Sequence, residues 1–139
     1  MIVLDTSVLS ALMRQQPEQP VIDWLDRQPW TSVWTTSITV LEIRFGLQTL
    51  PLGKRRSHLI ATFEKVILEK LEQRIAAFDR AAANEAAEVM ASRKKKGCPC
   101  DLRDTMIAGI VLAHGATLAT RNVQHFCDLT LNIVNPWAG

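Results

Sequence analysis

Four polar side chains lie where the sequence favours a site built at the edge of a sheet. Asp5 directly follows the apolar run IVL, and Asn122 comes shortly after a second short run, TLA. Glu42 and Asp104 each lie early in a segment of helical period. Because ligands of open α/β sheets bind beyond the carboxyl ends of the strands, we expect these side chains to converge at one edge of the sheet.

Carboxylates gathered at one place repel one another, and they stay ionised together only where a cation joins them. Oxygen donors suit Mg²⁺ or Mn²⁺, which bind one or two carboxylates together with water and phosphate oxygens. Such an ion activates water and stabilises the charge that develops when a phosphodiester is attacked. The residue types therefore indicate metal-dependent hydrolysis of a phosphodiester.

Each acidic position also has a structural interpretation. The segment Thr39–Glu42 fits a capping box, and Asp101 fits the N-cap of the helix that contains Asp104. Asp5 could cap the helical turn that follows it. Taken singly, Glu42 and Asp101 favour a structural role, whereas Asp5 and Asp104 adjoin strongly apolar sequence, where a charge is costly without a partner.

Short β-branched runs alternate with segments of helical period, which is typical of an α/β sandwich around a mostly parallel sheet. We predict strands over 2–4, 32–36, 75–78, 117–119 and 131–134, and helices over 7–13, 21–27, 38–50, 54–72, 79–96, 101–114 and 122–126. The strand at 2–4 is expected to be buried and central. Asp79 and Gly97 suit the caps of the fifth helix, and we expect its basic end, Arg93–Lys96, to be solvated. No linker or repeat divides the chain, so one domain over residues 1–139 is expected.

The composition suits an ordinary globular protein. The 139 residues are 47% hydrophobic and 22% charged, and the net charge of +2 permits an anionic partner without requiring one. No apolar run is long enough to cross a bilayer or to serve as an export signal, so we expect a cytoplasmic protein. The pairs Cys98/Cys100 and His125/Cys127 are too closely spaced for an ordinary structural zinc site, and free thiols are expected.

Several motifs, in order along the chain, resemble those of PIN-domain ribonucleases, particularly VapC-type toxins and their FitB-like and plasmid-stability relatives. The first is LDTSVLS at 4–10, the second is SITVLEIRFG at 37–46, and the third is DTMIAGI at 104–110. The last consists of ATLATRN at 116–122 followed by VNPW at 134–137. Together these motifs cover nearly the whole chain.

The resemblance implies a PIN-like α/β/α fold and a divalent-metal-dependent endoribonuclease that uses Mg²⁺ or Mn²⁺. It implies the toxic component of a type II toxin–antitoxin system, with a VapB-like antitoxin as partner and RNA as substrate. A homodimer is also expected, and no membrane association. Matched motif by motif, the catalytic set would be Asp5, Glu42, Asp104 and Asn122. In that set Asp5 and Asp104 would be the metal ligands, and Thr6 and Ser7 would steady Asp5.

The sequence departs from the family pattern at two positions. Many relatives carry an acid where this chain has Asn122, and many carry aspartate where it has His125. Fewer negative charges predict weaker metal binding, and they keep open an alternative: a PIN-like module that binds RNA or a partner without cleaving. A phosphatase of the haloacid-dehalogenase type also begins with an aspartate after the first strand, but it needs a second aspartate where this chain has Ser7.

Overall fold

A five-stranded sheet forms the centre of the computed structural model, which describes residues 1–138. The strands are β1 (Ile2–Leu4), β2 (Val33–Thr36), β3 (Ile75–Ala76), β4 (Thr117–Ala119) and β5 (Asn132–Val134). They lie in the order β3-β2-β1-β4-β5, and all four pairings are parallel. The predicted α/β class with a parallel sheet is confirmed.

Six α-helices connect and cover the strands: α1 (Thr6–Leu12), α2 (Gln19–Asp26), α3 (Ser37–Gln48), α4 (Lys54–Lys65), α5 (Arg80–Lys96) and α6 (Leu102–His114). Two hydrophobic clusters lie against the sheet. One cluster lies among the four helices α1, α2, α3 and α4 and includes Leu9, Leu25 and Phe63. The other lies at α5 and α6 and includes Ile107 and Ile110. This layering is the α/β/α sandwich that the resemblance implied.

The central position of β1 follows from its composition. Val3 and Leu4 are fully buried, and a strand covered on both faces can carry an uninterrupted apolar run. Leu4 pairs with Ala119 of β4, and the N–H of Asp5 donates to the Ala119 carbonyl at 3.0 Å. The pairing therefore brings the residues that follow β1 and β4 to the same sheet edge.

Local capping chemistry explains the helix ends that the sequence predicted. Asp79 accepts a hydrogen bond from the Ala82 N–H and begins α5, and Gly97, with φ of 68°, ends it in the left-handed region. In α6, Asp101 is likewise the N-cap, and Gly115 ends the helix in the left-handed region.

Three predicted elements change type in part or lose half of their length, whereas the other predicted bounds agree with the observed ones to within two residues. The fourth helix does not run unbroken to 72, because α4 ends at Lys65 and a π-helical turn, Val66–Lys70, follows it. In that turn the Leu71 N–H donates to the Val66 carbonyl, and Leu71 becomes fully buried. The strand predicted at 75–78 is shortened to Ile75–Ala76, and the helix predicted at 122–126 is a 3₁₀ turn, Val123–Phe126.

Within residues 1–138, no helix is both long enough and apolar enough to cross a membrane.

Candidate active site

Asp5 lies at the carboxyl end of β1 and is held by three hydrogen bonds. Its Oδ1 accepts from the Ser7 hydroxyl at 2.5 Å and from the Val8 N–H at 3.2 Å. Its Oδ2 accepts from the hydroxyl of Thr120, which follows β4. Asp5 therefore caps α1, and Ser7 steadies it as the resemblance implied.

Capping alone does not account for a carboxylate at this position. The Asp5 residue is only 5% exposed. This removal from water raises the pKa of Asp5 above its ordinary value of 3.8, and the hydrogen bonds from Ser7, Thr120 and Val8 act in the opposite direction. Serine, threonine or asparagine would cap the helix without a buried charge. A cation beside Asp5 would offset the cost of holding its ionised carboxylate away from water.

Glu42 is not part of a capping box. Helix α3 begins one turn earlier than that interpretation requires, and its N-cap is Thr36, whose hydroxyl accepts from the Thr39 N–H at 3.0 Å. The Glu42 carboxylate instead accepts from the Thr6 hydroxyl at 2.8 Å. Its other oxygen lies 3.8 Å from the guanidinium of Arg103. The capping-box interpretation of Glu42 is therefore wrong, and Thr6 supports Glu42 rather than Asp5.

Asp104 lies in the first turn of α6 and faces the loop after β4. Its Oδ2 is 2.8 Å from the Nδ1 atom of His125. The N–H of Asp104 donates to the carboxylate of Asp101 at 3.0 Å, which makes Asp101 the N-cap of α6. The structural interpretation of Asp101 is thus correct, and the side chain of Asp104 is free to face His125.

Asn122 is connected to Asp5 through the backbone. Its N–H donates to the Thr120 hydroxyl at 2.9 Å, and that hydroxyl in turn donates to Asp5. The neighbouring Arg121 N–H donates to the Ser7 hydroxyl at 3.1 Å. The Asn122 residue itself is exposed, so its amide oxygen is accessible to a ligand from solvent.

The four predicted residues form three contact groups rather than one, and Glu42 contacts Thr6 and Arg103 but none of the other three. Asp5 and Asn122 share Thr120, whereas Asp104 contacts His125. Glu42 opens on a groove of about 610 Å³, and Asp104 opens on a separate groove of about 460 Å³. Among the described residues, no three histidine, cysteine, aspartate or glutamate side chains are grouped closely enough to hold a metal ion. A metal shared by Asp5 and Asp104 stays a prediction.

The sequence interpretation missed the role of Arg93. It was grouped with the solvated basic end of α5, but it is only 4% exposed. Its Nε and Nη2 atoms each lie 3.0 Å from a carboxylate oxygen of Asp128. Nη2 also donates to the carbonyl of His125 at 2.8 Å, and Nη1 contacts the hydroxyl of Thr105 at 3.3 Å. A single guanidinium thus joins the start of α6 to the segment that carries His125.

Thr120 was also missed, because its contact with Asp5 spans 115 residues of sequence. The register of β1 against β4 would have revealed it, since residues 5 and 120 each follow a paired strand end. The run Arg93–Lys96 offered no comparable signal, because one buried arginine among four basic residues cannot be recognised without the acid that pairs with it.

Comparison with known proteins identifies the family of the chain. A sequence model of the PIN domain matches residues 2–130, and the chain therefore belongs to the PIN-domain family. It is 39% identical over 137 residues to the VapC ribonuclease Y4jK of Sinorhizobium fredii, covering 99% of this chain and 98% of that protein. It is 35% identical to the toxin FitB of Neisseria gonorrhoeae, with 99% of each chain covered. The FitAcB crystal structure from Neisseria gonorrhoeae superposes with a TM-score of 0.89, at 35% identity and 99% coverage of both chains.

Proposed function

We propose that this protein is the toxin of a type II toxin–antitoxin pair and that it cleaves RNA as a metal-dependent endoribonuclease. The observation that carries the proposal is the buried carboxylate of Asp5, fixed at the end of a central strand and costly to ionise without a cation. The relatives named VapC ribonuclease and toxin FitB, at 39% and 35% identity, support the same function.

The donor set fits a hard divalent ion. Asp5, Glu42 and Asp104 offer carboxylate oxygens and Asn122 offers an amide oxygen, which are the ligands that Mg²⁺ and Mn²⁺ take. We assign Asp5 and Asp104 as the ligands. When bound, the ion supplies an activated water and neutralises charge on the phosphate that is attacked.

The residues of the chain prepare this chemistry. The hydroxyls of Ser7 and Thr120 fix both oxygens of Asp5, so the carboxylate cannot rotate away from its position. Thr6 holds one oxygen of Glu42, and we assign the other oxygen, which lies 3.8 Å from the guanidinium of Arg103, to help hold the metal or the attacking water. Asn122 brings an amide that adds a donor without adding charge. This rigid mounting on a strand end favours catalysis over a loosely assembled binding surface.

The proposed partner is a small VapB-like antitoxin that blocks the site, and the proposed place of action is the cytoplasm, where the RNA substrate is found. Self-association also stays a prediction. Leu41 and Phe45 lie one turn apart on α3 and are 57% and 56% exposed, and such an apolar pair is suited to contact with a second copy. Light scattering of the purified chain would test this, and a monomeric mass at micromolar concentration would contradict it.

Cleavage of total cellular RNA by the purified, antitoxin-free protein tests the proposed function. We expect discrete cuts with Mg²⁺ or Mn²⁺ and none with chelator, and sequencing of the new ends would reveal the target. Asp5→Asn should abolish cleavage, because the amide keeps the cap on α1 but removes the charge that binds the ion. The matched control is Asp101→Asn, which keeps the cap on α6 equally well and should leave cleavage intact.

Circular dichroism should show that both variants are folded. If folded wild type with metal produces no cuts, or if Asp5→Asn cuts as well as wild type, the endoribonuclease proposal is wrong. RNA binding that survives chelation, without cleavage, would instead support the non-cleaving module suggested by Asn122 and His125.

A further inference from the structure

We propose that the groove between α1, α3 and α4 binds single-stranded RNA beside the cleavage site, with Arg55 holding a phosphate and the apolar floor holding an unstacked base. This inference rests on the proposed endoribonuclease function and names a substrate class and a substrate-binding residue within it. The groove has a volume of about 610 Å³, and Thr6 and Glu42 contribute to its lining. It therefore adjoins the candidate active site.

The floor of the groove is apolar and has room for a base. Ile43 and Leu47 lie one turn apart on α3 and are buried, and Leu59 of α4 also lines the groove. A Cβ atom at Gly46 would have no neighbour within 4 Å, so the α3 wall is open there. The exposed imidazole of His58 adds a ring of the kind that stacks on unpaired bases. A base can enter this space only when it is not stacked in a duplex.

Two arginines contribute to the lining from separate elements. Arg14 follows α1, Arg55 lies in the first turn of α4, and both are exposed. Arg14 pairs with Glu18 at 2.9 Å. Within residues 1–138, no acidic side chain forms an ion pair with Arg55. Arg55 is thus the lining arginine that is available to a phosphate, and a cationic wall over an apolar floor suits a single strand.

The position of Arg55 is unfavourable for the helix that carries it. Helix α4 begins with the three basic residues Lys54–Arg56, its first turn has no acid, and Gly53 provides no side-chain cap. Because the N-terminus of a helix carries a partial positive charge, cations there lower the stability of the helix. Helix formation does not account for these residues, whereas a bound polyanion would offset their repulsion.

The spacing of Arg55 from Glu42 assigns it to a phosphate other than the scissile one. Arg56 donates to the side chain of Gln48, which places the start of α4 beside the end of α3. Glu42 and Gln48 are six residues apart on α3, about 9 Å along the helix axis. A cation at that distance contacts the strand beyond the phosphate at Glu42. Arg55 therefore positions the RNA and takes no part in breaking the bond.

Fluorescence anisotropy of a short labelled single-stranded RNA, measured in chelator so that the strand stays intact, tests the role of Arg55. We expect Arg55→Gln to weaken binding by about tenfold, because a charged hydrogen bond is lost. The plot of log K against log salt should become shallower by about 0.7, the value for one phosphate contact. Arg55→Lys should keep most of the slope, since it keeps the charge. The matched control is Arg80→Gln, an exposed arginine in the first turn of α5, which should change neither quantity.

Gly46→Phe tests the floor without changing any charge. The ring should fill the space that the base occupies and weaken single-strand binding by about tenfold or more. Gly46→Ala should bind as wild type does, because the methyl group leaves the space open. We also expect a duplex of the same sequence to bind more weakly than the single strand. Circular dichroism should show that all variants are folded.

Equal affinity in wild type, Arg55→Gln and Gly46→Phe would overturn the proposal and leave the groove to a protein partner. A duplex that binds as tightly as the single strand, or an equal loss of slope in Arg80→Gln and Arg55→Gln, would overturn it as well.

These readings are independent of the proposed function. A protein that cleaves RNA with metal, but binds it equally well after Arg55→Gln and Gly46→Phe, would refute the assignment of the groove alone. A protein that shows the expected binding losses, but never cleaves RNA with metal, would refute the nuclease alone.

Discussion

At the scale of single residues, Arg93 shows how one buried charge differs from its neighbours. Lys94, Lys95 and Lys96 are exposed at the end of α5, as the dipole of a helix favours. Arg93 instead turns into the protein and binds Asp128 through two atoms of its guanidinium. A guanidinium that is removed from water needs such a partner, so the pair should contribute to stability chiefly by keeping Arg93 satisfied.

Replacing Asp128 with Asn should therefore lower the free energy of unfolding by about 2–3 kcal/mol at pH 7. That is less than for a fully buried pair, because water reaches Asp128. Arg93 holds the pKa of Asp128 below its ordinary value of 3.8. The unfolded chain then takes up this proton at a higher pH than the folded chain does. The stability that ionised Asp128 contributes is present above pH 3.8 and is lost as the pH falls through the folded-state pKa of Asp128.

Chemical denaturation of wild type and Asp128→Asn between pH 7 and pH 2 would measure this. The difference between the two proteins should shrink at the acid end of the range. A difference that stays constant over the whole range would show that the ionisation of Asp128 is not linked to folding.

At the scale of elements, the predictions succeeded where the determining chemistry is local. The N-cap Asp79 and the left-handed Gly97 lie within a few residues of the helix ends that they define, so the sequence contains the whole signal. Asp5 was recognised for the same reason, since it directly follows the run that forms β1. The contact between Thr120 and Asp5 depends on strand pairing, and the π-helical turn after α4 depends on burying Leu71. Neither is encoded locally.

The contact between α5 and α6 gives a sharp test of packing. An ideal Cβ at Gly109 would lie 2.5 Å from the backbone carbonyl oxygen of Ala82 and 2.9 Å from the Cβ atom of Ala86. We expect Gly109→Ala to lower the free energy of unfolding by about 2–3 kcal/mol, because a helix backbone must move to admit the methyl group. Thermal or chemical denaturation measures the change.

Gly46 in α3 is the matched control for this substitution. A Cβ there has no neighbour within 4 Å, so Gly46→Ala should raise the free energy of unfolding by about 0.5–1 kcal/mol through helix propensity alone. Equal effects at the two positions would show that α5 and α6 are not packed as closely as described.

At the scale of the whole molecule, the strand order explains why distant residues form one region. Because β1 lies between β2 and β4, the segments that follow these three strands leave the sheet at the same edge. They deliver Asp5, the helix that carries Glu42, and the loop that contains Thr120 and Asn122. The fold therefore supplies the placement, and the local sequence supplies the chemical groups.

A ligand bound at this edge should stabilise the entire chain, because it binds the folded state alone. We expect Mn²⁺ at about 100 times its Kd to add about 2.7 kcal/mol to the free energy of unfolding, and chelator to reverse the effect.

The Asp5→Asn variant should lose this stabilisation by Mn²⁺. Burial raises the pKa of Asp5, so the folded state holds this proton more tightly than the unfolded chain does, and ionisation of Asp5 lowers the free energy of unfolding as the pH rises above 3.8. The metal-free variant should consequently unfold at a higher temperature than metal-free wild type. Differential scanning calorimetry of both proteins, with Mn²⁺ and with chelator, would measure the stabilisation by Mn²⁺ and the unfolding temperatures of the metal-free proteins. An Asp5→Asn protein that still gains stability from Mn²⁺ would show that the ion binds elsewhere.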